Sequence, residues 1–329
     1  MRRKLVTLMA AVTLLGGGYA LASDMTLARD GGLYRVIDTG DELVVSQTTG
    51  AGTVVETPVP QTNGIIATSL LIRVDEATGT TVVVWQQGTD EMAQVFLATL
   101  REGTWFGPYP VAGGGSISAA NPALLVHRVT DVVDEEEGPV EYSTAFLHLA
   151  WWEGLETEDG GAAYYAAATL DDQGAPDLSE FNPLHLSDLI PFGIGCYAID
   201  DPSILAHPRL FIDPETGDPH ILAVDVPSCL FQILQLEPAL EEWVGGPKRR
   251  RHTIVLGYHE MIAIDLSLPM HAATVEVGHD LTVVMHWDTE EGINYVLLDE
   301  DGWSEARVLA LTEQLDHEKA VELIRGLAR

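Results

Sequence analysis

The sequence predicts an all-β fold, a β-propeller of about five four-stranded blades, with four or six blades as alternatives. Apolar runs of strand length, rich in Val, Ile, Leu, Thr and aromatic residues, recur along the chain. Trp85, Trp151, Ala223 and Trp287 end the second run of four successive repeats. Antiparallel four-stranded units in series are typical of propellers. The alternative is a two-sheet sandwich, whose strand number a chain of this length would exceed.

The N-terminus predicts a signal peptide over residues 1–22. Residues 2–4 are basic, residues 5–15 are apolar but shorter than the 20 or so residues needed to cross a bilayer, and residues 20–22 fit a small-x-small cleavage motif. An uncleaved anchor helix is the alternative. We expect an exported protein, periplasmic or extracellular, that is not inserted in the membrane after cleavage.

Composition narrows the class of partner. The chain carries 50 acidic and 17 basic residues, a formal net charge of -33, so its surface repels nucleic acid phosphates. With 46% hydrophobic residues it is not a disordered acidic protein. The basic run at residues 248–251 is interpreted as a solvated hairpin tip, with binding to an anionic polymer as the alternative. We therefore expect an unknown glycan, peptide or protein partner and no nucleic acid.

Residues 23–329 are predicted to form one propeller domain. The repeats are expected at about 24–65, 66–116, 117–190, 204–258 and 270–313, followed by a C-terminal helix at 314–328. The first repeat offers three strands within residues 33–60, and we expect the C-terminal end to supply its fourth. Turn motifs at Asp75–Gly79 and Asp213–Gly217 separate the first two runs, and an acidic insert at 132–142 replaces that turn in the second of the four anchored repeats.

Cys196 and Cys229 are the two cysteines, and an oxidising compartment predicts a disulfide between them. Two buried free thiols are the alternative. We expect no cofactor. Calcium is the alternative, since the turns at 200–201 and 213–218 contain aspartates, although no EF-hand spacing occurs. A metal site among the late histidines is a further alternative, but they show no zinc motif, whereas His148 and His286 lie on strands beside Trp and are expected in the core.

Several short motifs carry a family resemblance. They are Asn121-Pro122-Ala123-Leu124, His148-Leu149-Ala150-Trp151 and Gly302-Trp303-Ser304, together with the similar segments at 103–105 and 207–210. This pattern resembles the sialidase-type (BNR-repeat) propeller superfamily. The Asp-box of that superfamily, Ser-x-Asp-x-Gly-x-Thr-Trp, is not intact, because residues 98–105 lack its Ser and Asp.

The resemblance implies an arginine triad for a substrate carboxylate, a Tyr–Glu nucleophile pair and an Asp acid/base. Arg73, Arg128 and Arg209 lie on successive predicted first strands and are the candidates for an axial anion site. The alternative is that they pair with nearby acids such as Asp75. Tyr258 and Glu260, in a stretch interpreted as a loop, form the candidate nucleophile pair.

These observations lead to three functional expectations. The degraded Asp-boxes favour a non-catalytic exported propeller that binds a glycan, peptide or protein through loops at one end of its axis. A sialidase-like glycoside hydrolase is the first alternative. A structural protein of the cell envelope is the second.

Overall fold

A computed structural model of the chain describes residues 23–28, 31–88, 92–114, 117–135, 138–154, 162–186, 205–212, 217–225, 230–243, 249–263, 274–277, 283–289, 292–299, 302–312, 315 and 317–328. In these ranges the protein is almost entirely β, with five separate sheets and one short α-helix. The predicted all-β propeller class is confirmed. The number of blades in the closed ring stays a prediction.

The strands of each sheet are antiparallel and follow the chain order. The first sheet contains β1 Ser23–Leu27, β2 Leu33–Asp38, β3 Leu43–Thr48 and β4 Val54–Pro58. The second contains β5 Ala67–Asp75, β6 Thr80–Gln87, β7 Gln94–Arg101 and β8 Thr104–Ala112. The third contains β9 Ala119–Glu135, β10 Gly138–Glu153, β11 Ala162–Leu170, β12 Pro176–Asp177 and, also beside β11, β13 Leu184–His185.

The last two sheets follow the same order. The fourth contains β14 Leu205–Ile212, β15 Pro219–Asp225, β16 Leu230–Trp243 and β17 Arg249–Ala263. The fifth contains β18 Thr274–Val277, β19 Val283–Thr289, β20 Gly292–Asp299, β21 Gly302–Trp303 and, also beside β20, β22 Arg307–Leu309. A short 3₁₀ turn, Leu178–Glu180, follows β12.

The first strands of successive sheets lie beside one another in the order β1, β5, β9, β14 and β18. Among the described residues, each of them pairs on one edge, with the second strand of its own sheet. Their free edges therefore face the common axis, as expected for a propeller. We call these free edges the axial edge.

The core lies between sheets, because the second and third strands are covered on both faces. In β10, Leu147, Leu149 and Trp151 pack towards the second sheet with Val82, Val84 and Leu97. From the opposite face of the third sheet, Trp152 and Tyr165 pack towards the fourth with Ile221 and Leu234. This burial on both faces explains the near-continuous apolar runs of the sequence.

The strand that completes the first sheet is β1, on the N-terminal side of β2, and not a segment of the C-terminal end, which corrects that expectation. Ser23–Leu27 pairs with β2, and the turn between them is closed by a hydrogen bond from Ala28 N to Gly32 O of 2.9 Å. A turn this short makes the local strand the nearest available partner.

The described residues of the acidic insert, 132–135 and 138–142, belong to strands. The insert lengthens the β9–β10 hairpin to strands of 17 and 16 residues. The β16–β17 hairpin is lengthened in the same way, to 14 and 15 residues, and within it Arg250 and Arg251 pair with Glu242 and Glu241. Oppositely charged cross-strand positions favour this register.

The repeat anchors mark a β-bulge in three sheets. Trp85, Trp151 and Ala223 each face two residues of the first strand, where the register shifts by one. The bulged pairs are 69–70, 121–122 and 207–208. Ser69 and Asn121 take positive φ values of 50° and 52°, which β-bulges tolerate at a cost in strain.

The predicted C-terminal helix is confirmed as α1, His317–Arg325, with a 3₁₀ turn at Gly326–Ala328. Its Ala320 and Ile324 are buried against Val284 and Ile293 of the fifth sheet. Among the described residues, no helix combines the length and the apolar character needed to cross a membrane.

Three predictions concern residues outside the described ranges. They are the signal peptide at 1–22, the disulfide between Cys196 and Cys229, and the calcium alternative at Asp200, Asp201 and Asp213. The disulfide therefore stays a prediction, as does the export of the chain.

Candidate functional site at the axial edge

The axial edge needs polar partners, since each first strand leaves half of its N–H and C=O groups without a strand neighbour. Asp24 of β1 supplies one such partner. Its Oδ2 accepts a hydrogen bond of 3.0 Å from Ile72 N of β5. The carboxylate therefore bridges the first strands of two sheets, and its side chain is 27% exposed.

Arg73 completes this pair. Its Nη1 lies 2.8 Å from Asp24 Oδ2 and donates a second hydrogen bond of 2.6 Å to Ile72 O. Arg209 of β14 repeats the second contact, because its Nη1 donates to Pro208 O at 3.1 Å. Both guanidinium groups therefore satisfy carbonyls of the first strands, and the Asp24–Arg73 pair places opposite charges at the axial edge.

The bulges of the second and third sheets meet at a buried amide. Gln86, 8% exposed, accepts hydrogen bonds at Oε1 from Asn121 N at 3.3 Å and from Ser69 Oγ at 3.5 Å. The strained bulge residues of β5 and β9 are thus fixed at the same depth along the axis.

The three predicted arginines lie on successive first strands but at different depths. Arg209, Arg73 and Arg128 pair with positions one, three and six residues before the anchor of their own sheets. At about 3.3 Å per residue, they lie about 3, 10 and 20 Å below the level of the anchors. The strand register does not bring them together around one carboxylate.

Arg128 forms an ion pair with another carboxylate, that of Asp75. Its Nε and Nη2 donate to Asp75 Oδ1 and Oδ2 at 3.0 and 2.6 Å, in a fork that joins the third sheet to the second. Burial acts to raise the pKa of Asp75, but hydrogen bonds from Arg128 and Thr78 and the charge of Arg128 outweigh it and lower that pKa below its ordinary 3.8. The same hydrogen bond raises the pKa of Arg128.

Tyr258 and Glu260 lie within a strand, which corrects their interpretation as loop residues. Their backbones pair with Gln235 and Ile233 in β17, the fourth strand of its sheet. Three strand spacings of about 4.8 Å separate β17 from β14, so this backbone is about 14 Å from the axial edge. The sheet order does not bring the pair to the arginines.

Sequence reasoning did not find Asp24 or Gln86. The strands predicted for the first repeat began at residue 33, so the strand Ser23–Leu27 that carries Asp24 was missed. Gln86 directly follows the anchor Trp85, and its bond from Asn121 N forms only where two sheets meet.

No group of three or more His, Cys, Asp or Glu is placed to hold a metal ion within the described ranges. Of the aspartates considered for calcium, Asp218 accepts a hydrogen bond of 2.9 Å from Gln235 Nε2. His252, one of the late histidines, bonds Thr144 Oγ1 through Nδ1 at 2.9 Å and Asp131 Oδ2 through Nε2 at 3.0 Å.

Neither family models nor curated proteins match the chain. Among solved structures, it is similar to an exo-1,5-α-L-arabinanase from a bovine ruminal metagenomic library, with 15% identity, 87% of this chain and 95% of that one covered, and a TM-score of 0.36. A GH43 endo-arabinanase from Bacillus licheniformis follows, with 12% identity, coverages of 85% and 94%, and a TM-score of 0.32. An engineered GH43 glycoside hydrolase has 13% identity, coverages of 90% and 54%, and a TM-score of 0.32.

The expectation of a non-catalytic binding protein is corrected on this finding, because the similar structures are named as glycoside hydrolases and arabinanases. At this level of similarity no residue role or substrate passes from them to this chain.

Proposed function

We propose that the chain is a glycoside hydrolase whose reacting carboxylate is Asp24 at the axial edge. One observation carries the proposal: Asp24 Oδ2 is held by Arg73 Nη1 at 2.8 Å and Ile72 N at 3.0 Å while the side chain stays partly exposed. A carboxylate held in one orientation by two such donors can act as nucleophile or general base at an anomeric carbon.

Glycoside hydrolysis requires a second carboxyl group as general acid. We assign this role to Glu276 by its position in the strand order. It lies in β18, the first strand of the fifth sheet, and pairs with Val284, three residues before the anchor Trp287. Arg73 pairs with Val82, three residues before the anchor Trp85. The two positions therefore share one depth along the axis, the depth of the Asp24–Arg73 pair.

A sialidase-type form of this activity would hold the substrate carboxylate with Arg73, Arg128 and Arg209. Their differing depths and the commitment of Arg128 to Asp75 give that form no support. The proposal is therefore a glycoside hydrolase in the broader sense, with Arg73 orienting Asp24. Export through a signal peptide at 1–22 belongs to the same proposal, and a mature chain that begins at Ser23 by mass spectrometry would support it.

The test is hydrolysis by the purified chain of arabinan, xylan and a panel of aryl glycosides that includes a sialoside. Asp24→Asn should lower kcat by about 10²–10⁴-fold, and Glu276→Gln should do the same on poor leaving groups but less on an activated aryl glycoside. Asp134→Asn, an exposed acid on the β9–β10 hairpin, is the matched control and should keep the full rate. An undiminished rate in a folded Asp24→Asn variant, or no cleavage of any substrate, would contradict the proposal.

A further inference from the structure

A second polar site lies away from the axial edge, between the outer strands of the second and third sheets. It is a cavity of about 270 Å³ lined by Arg101, Glu102, Thr104, Phe106, Asp172 and Gln173. The first four lining residues come from the β7–β8 hairpin, and the last two come from the turn that links β11 to β12. This turn and hairpin are at the opposite end of the sheets from the bulges, since Arg101 pairs with Thr104 whereas Gln94 pairs with Gln87.

The turn that forms one wall is held rigidly. Asp171 Oδ1 accepts hydrogen bonds of 2.8 Å from the N–H groups of both Gln173 and Ala175. Asp171 O accepts a further one of 2.9 Å from Gly174 N. The local geometry of this wall is therefore set by hydrogen bonds within the turn, in which the Asp171 carboxylate accepts from nearby backbone N–H groups as in an Asx turn.

The two walls are locked to each other. Thr99 Oγ1 donates a buried hydrogen bond of 2.7 Å to Gly174 O, and Arg101 Nη1 donates to Asp172 O. Gly174 has a φ of +85°, and a Cβ there would lie 2.9 Å from Thr80 Oγ1, so the turn packs against the second sheet with no room for a side chain. A cavity with fixed walls needs little ordering when a ligand binds.

The lining has the chemistry that recognises a neutral sugar. The Glu102 and Asp172 carboxylates can accept hydrogen bonds from sugar hydroxyl groups, whereas the Thr104 hydroxyl and the Gln173 amide can both accept and donate. The Phe106 ring offers an apolar face for C–H groups. Two acids, Glu102 and Asp172, face one base, Arg101, in a chain of net charge -33, which disfavours acidic sugars. The volume lies just below the range of about 300–1,000 Å³ of drug-sized pockets, so it suits one or two sugar units.

We propose that this cavity is a secondary binding subsite for a neutral polysaccharide, separate from the axial edge. The inference rests on the proposed glycoside hydrolase function for its role, which is to hold a chain whose other part reaches the axis. Linked sites raise the effective concentration of the second binding event. The subsite should therefore act on long substrates and not on small ones.

The test measures binding of arabino-, xylo- and cello-oligosaccharides of six units by titration calorimetry in an Asp24→Asn background, where hydrolysis does not interfere. Phe106→Leu and Glu102→Gln should each weaken binding at least 10-fold. Glu56→Gln, an exposed acid on β4, is the matched control and should leave binding unchanged. In the wild-type background, the two cavity variants should lower kcat/KM on polysaccharide about 10-fold and leave the rate on aryl glycosides unaltered.

The outcomes separate the subsite from the catalytic proposal. Binding that the cavity variants weaken supports the subsite even if the protein hydrolyses nothing. Hydrolysis that requires Asp24, combined with binding that Phe106→Leu and Glu102→Gln leave intact, overturns the subsite and leaves the enzyme. Binding of spermidine in place of every oligosaccharide, or no binding at millimolar concentration, also overturns it.

Discussion

His148 should make the folded protein lose stability on mild acidification. The side chain is fully buried in β10, with Nδ1 at 2.8 Å from the hydroxyl of Tyr165 and the ring of His127 at 6.1 Å. Burial, and to a lesser extent the charge of His127, lowers the pKa of His148 from 6.5 to about 3. Burial also lowers the pKa of His127 and raises that of Tyr165, so neither neighbour favours a proton on His148.

The direction of the effect follows from proton linkage. Below pH 6.5 the unfolded chain binds a proton at His148 that the folded chain does not bind until about pH 3. The free energy of unfolding contributed by this residue is therefore complete above pH 6.5 and falls as the pH falls towards 3. Between pH 7 and pH 5 the loss amounts to about 2 kcal/mol.

The assay is urea unfolding followed by tryptophan fluorescence at pH 7 and pH 5, for the wild type and for His148→Gln. Glutamine can still bond the Tyr165 hydroxyl but does not titrate, so the variant should lose about 2 kcal/mol less than the wild type between the two pH values. Val83→Ala is the control, because it alters a buried residue that does not titrate. Its free energy of unfolding should lie below that of the wild type by the same amount at both pH values. An equal pH dependence in His148→Gln and the wild type would refute the reasoning.

Two further substitutions test contacts between the second and third sheets. Arg128→Met should lower the free energy of unfolding by about 3 kcal/mol, since it leaves the 3%-exposed Asp75 carboxylate without its ion pair. Because the pKa of Asp75 lies below 3.8, the difference from the wild type should be full near neutral pH and shrink as the pH falls below that value, and a pH-independent difference would contradict it. Gly174→Ala should lower the free energy of unfolding by at least twice the approximately 1 kcal/mol expected for Gly79→Ala. Both glycines have a positive φ, but of the two only Gly174 would place a Cβ against Thr80. Equal shifts in thermal midpoint would contradict this prediction and show that the turn can move.

The repeat structure could be predicted because each anchor residue does one physical task. Trp85 and Trp151 fill the space between sheets opposite a bulge, so they recur at a fixed place in the apolar pattern. Turn chemistry was equally readable, since Asp75 accepts from Thr78 Oγ1 at 2.5 Å and Gly79 takes a φ of 70°. These features depend on residues that are close in sequence, so the sequence alone indicates them.

The candidate site could not be predicted in the same way. Whether Arg73 and Arg128 reach one pocket depends on how many residues separate each from its anchor across the strand pair, and bulges change that number. The partner of Arg73 is Asp24, 49 residues away, on a strand that precedes the three predicted within residues 33–60. Such contacts arise only when the sheets are placed side by side.

The bulge at each anchor also limits how the repeats could be recombined. A bulge inserts one residue and so shifts the alternation of side chains by one position. Side chains that precede the bulge therefore lie on the opposite face of the sheet from the one they would occupy in an unbulged strand. Ser69 and Asn121 are equivalent positions in their bulges, so a chimera that exchanges β5 and β9 with junctions there would keep each later side chain on the same face of the sheet. A junction one residue out of phase would turn Ile72 and its alternates away from the core.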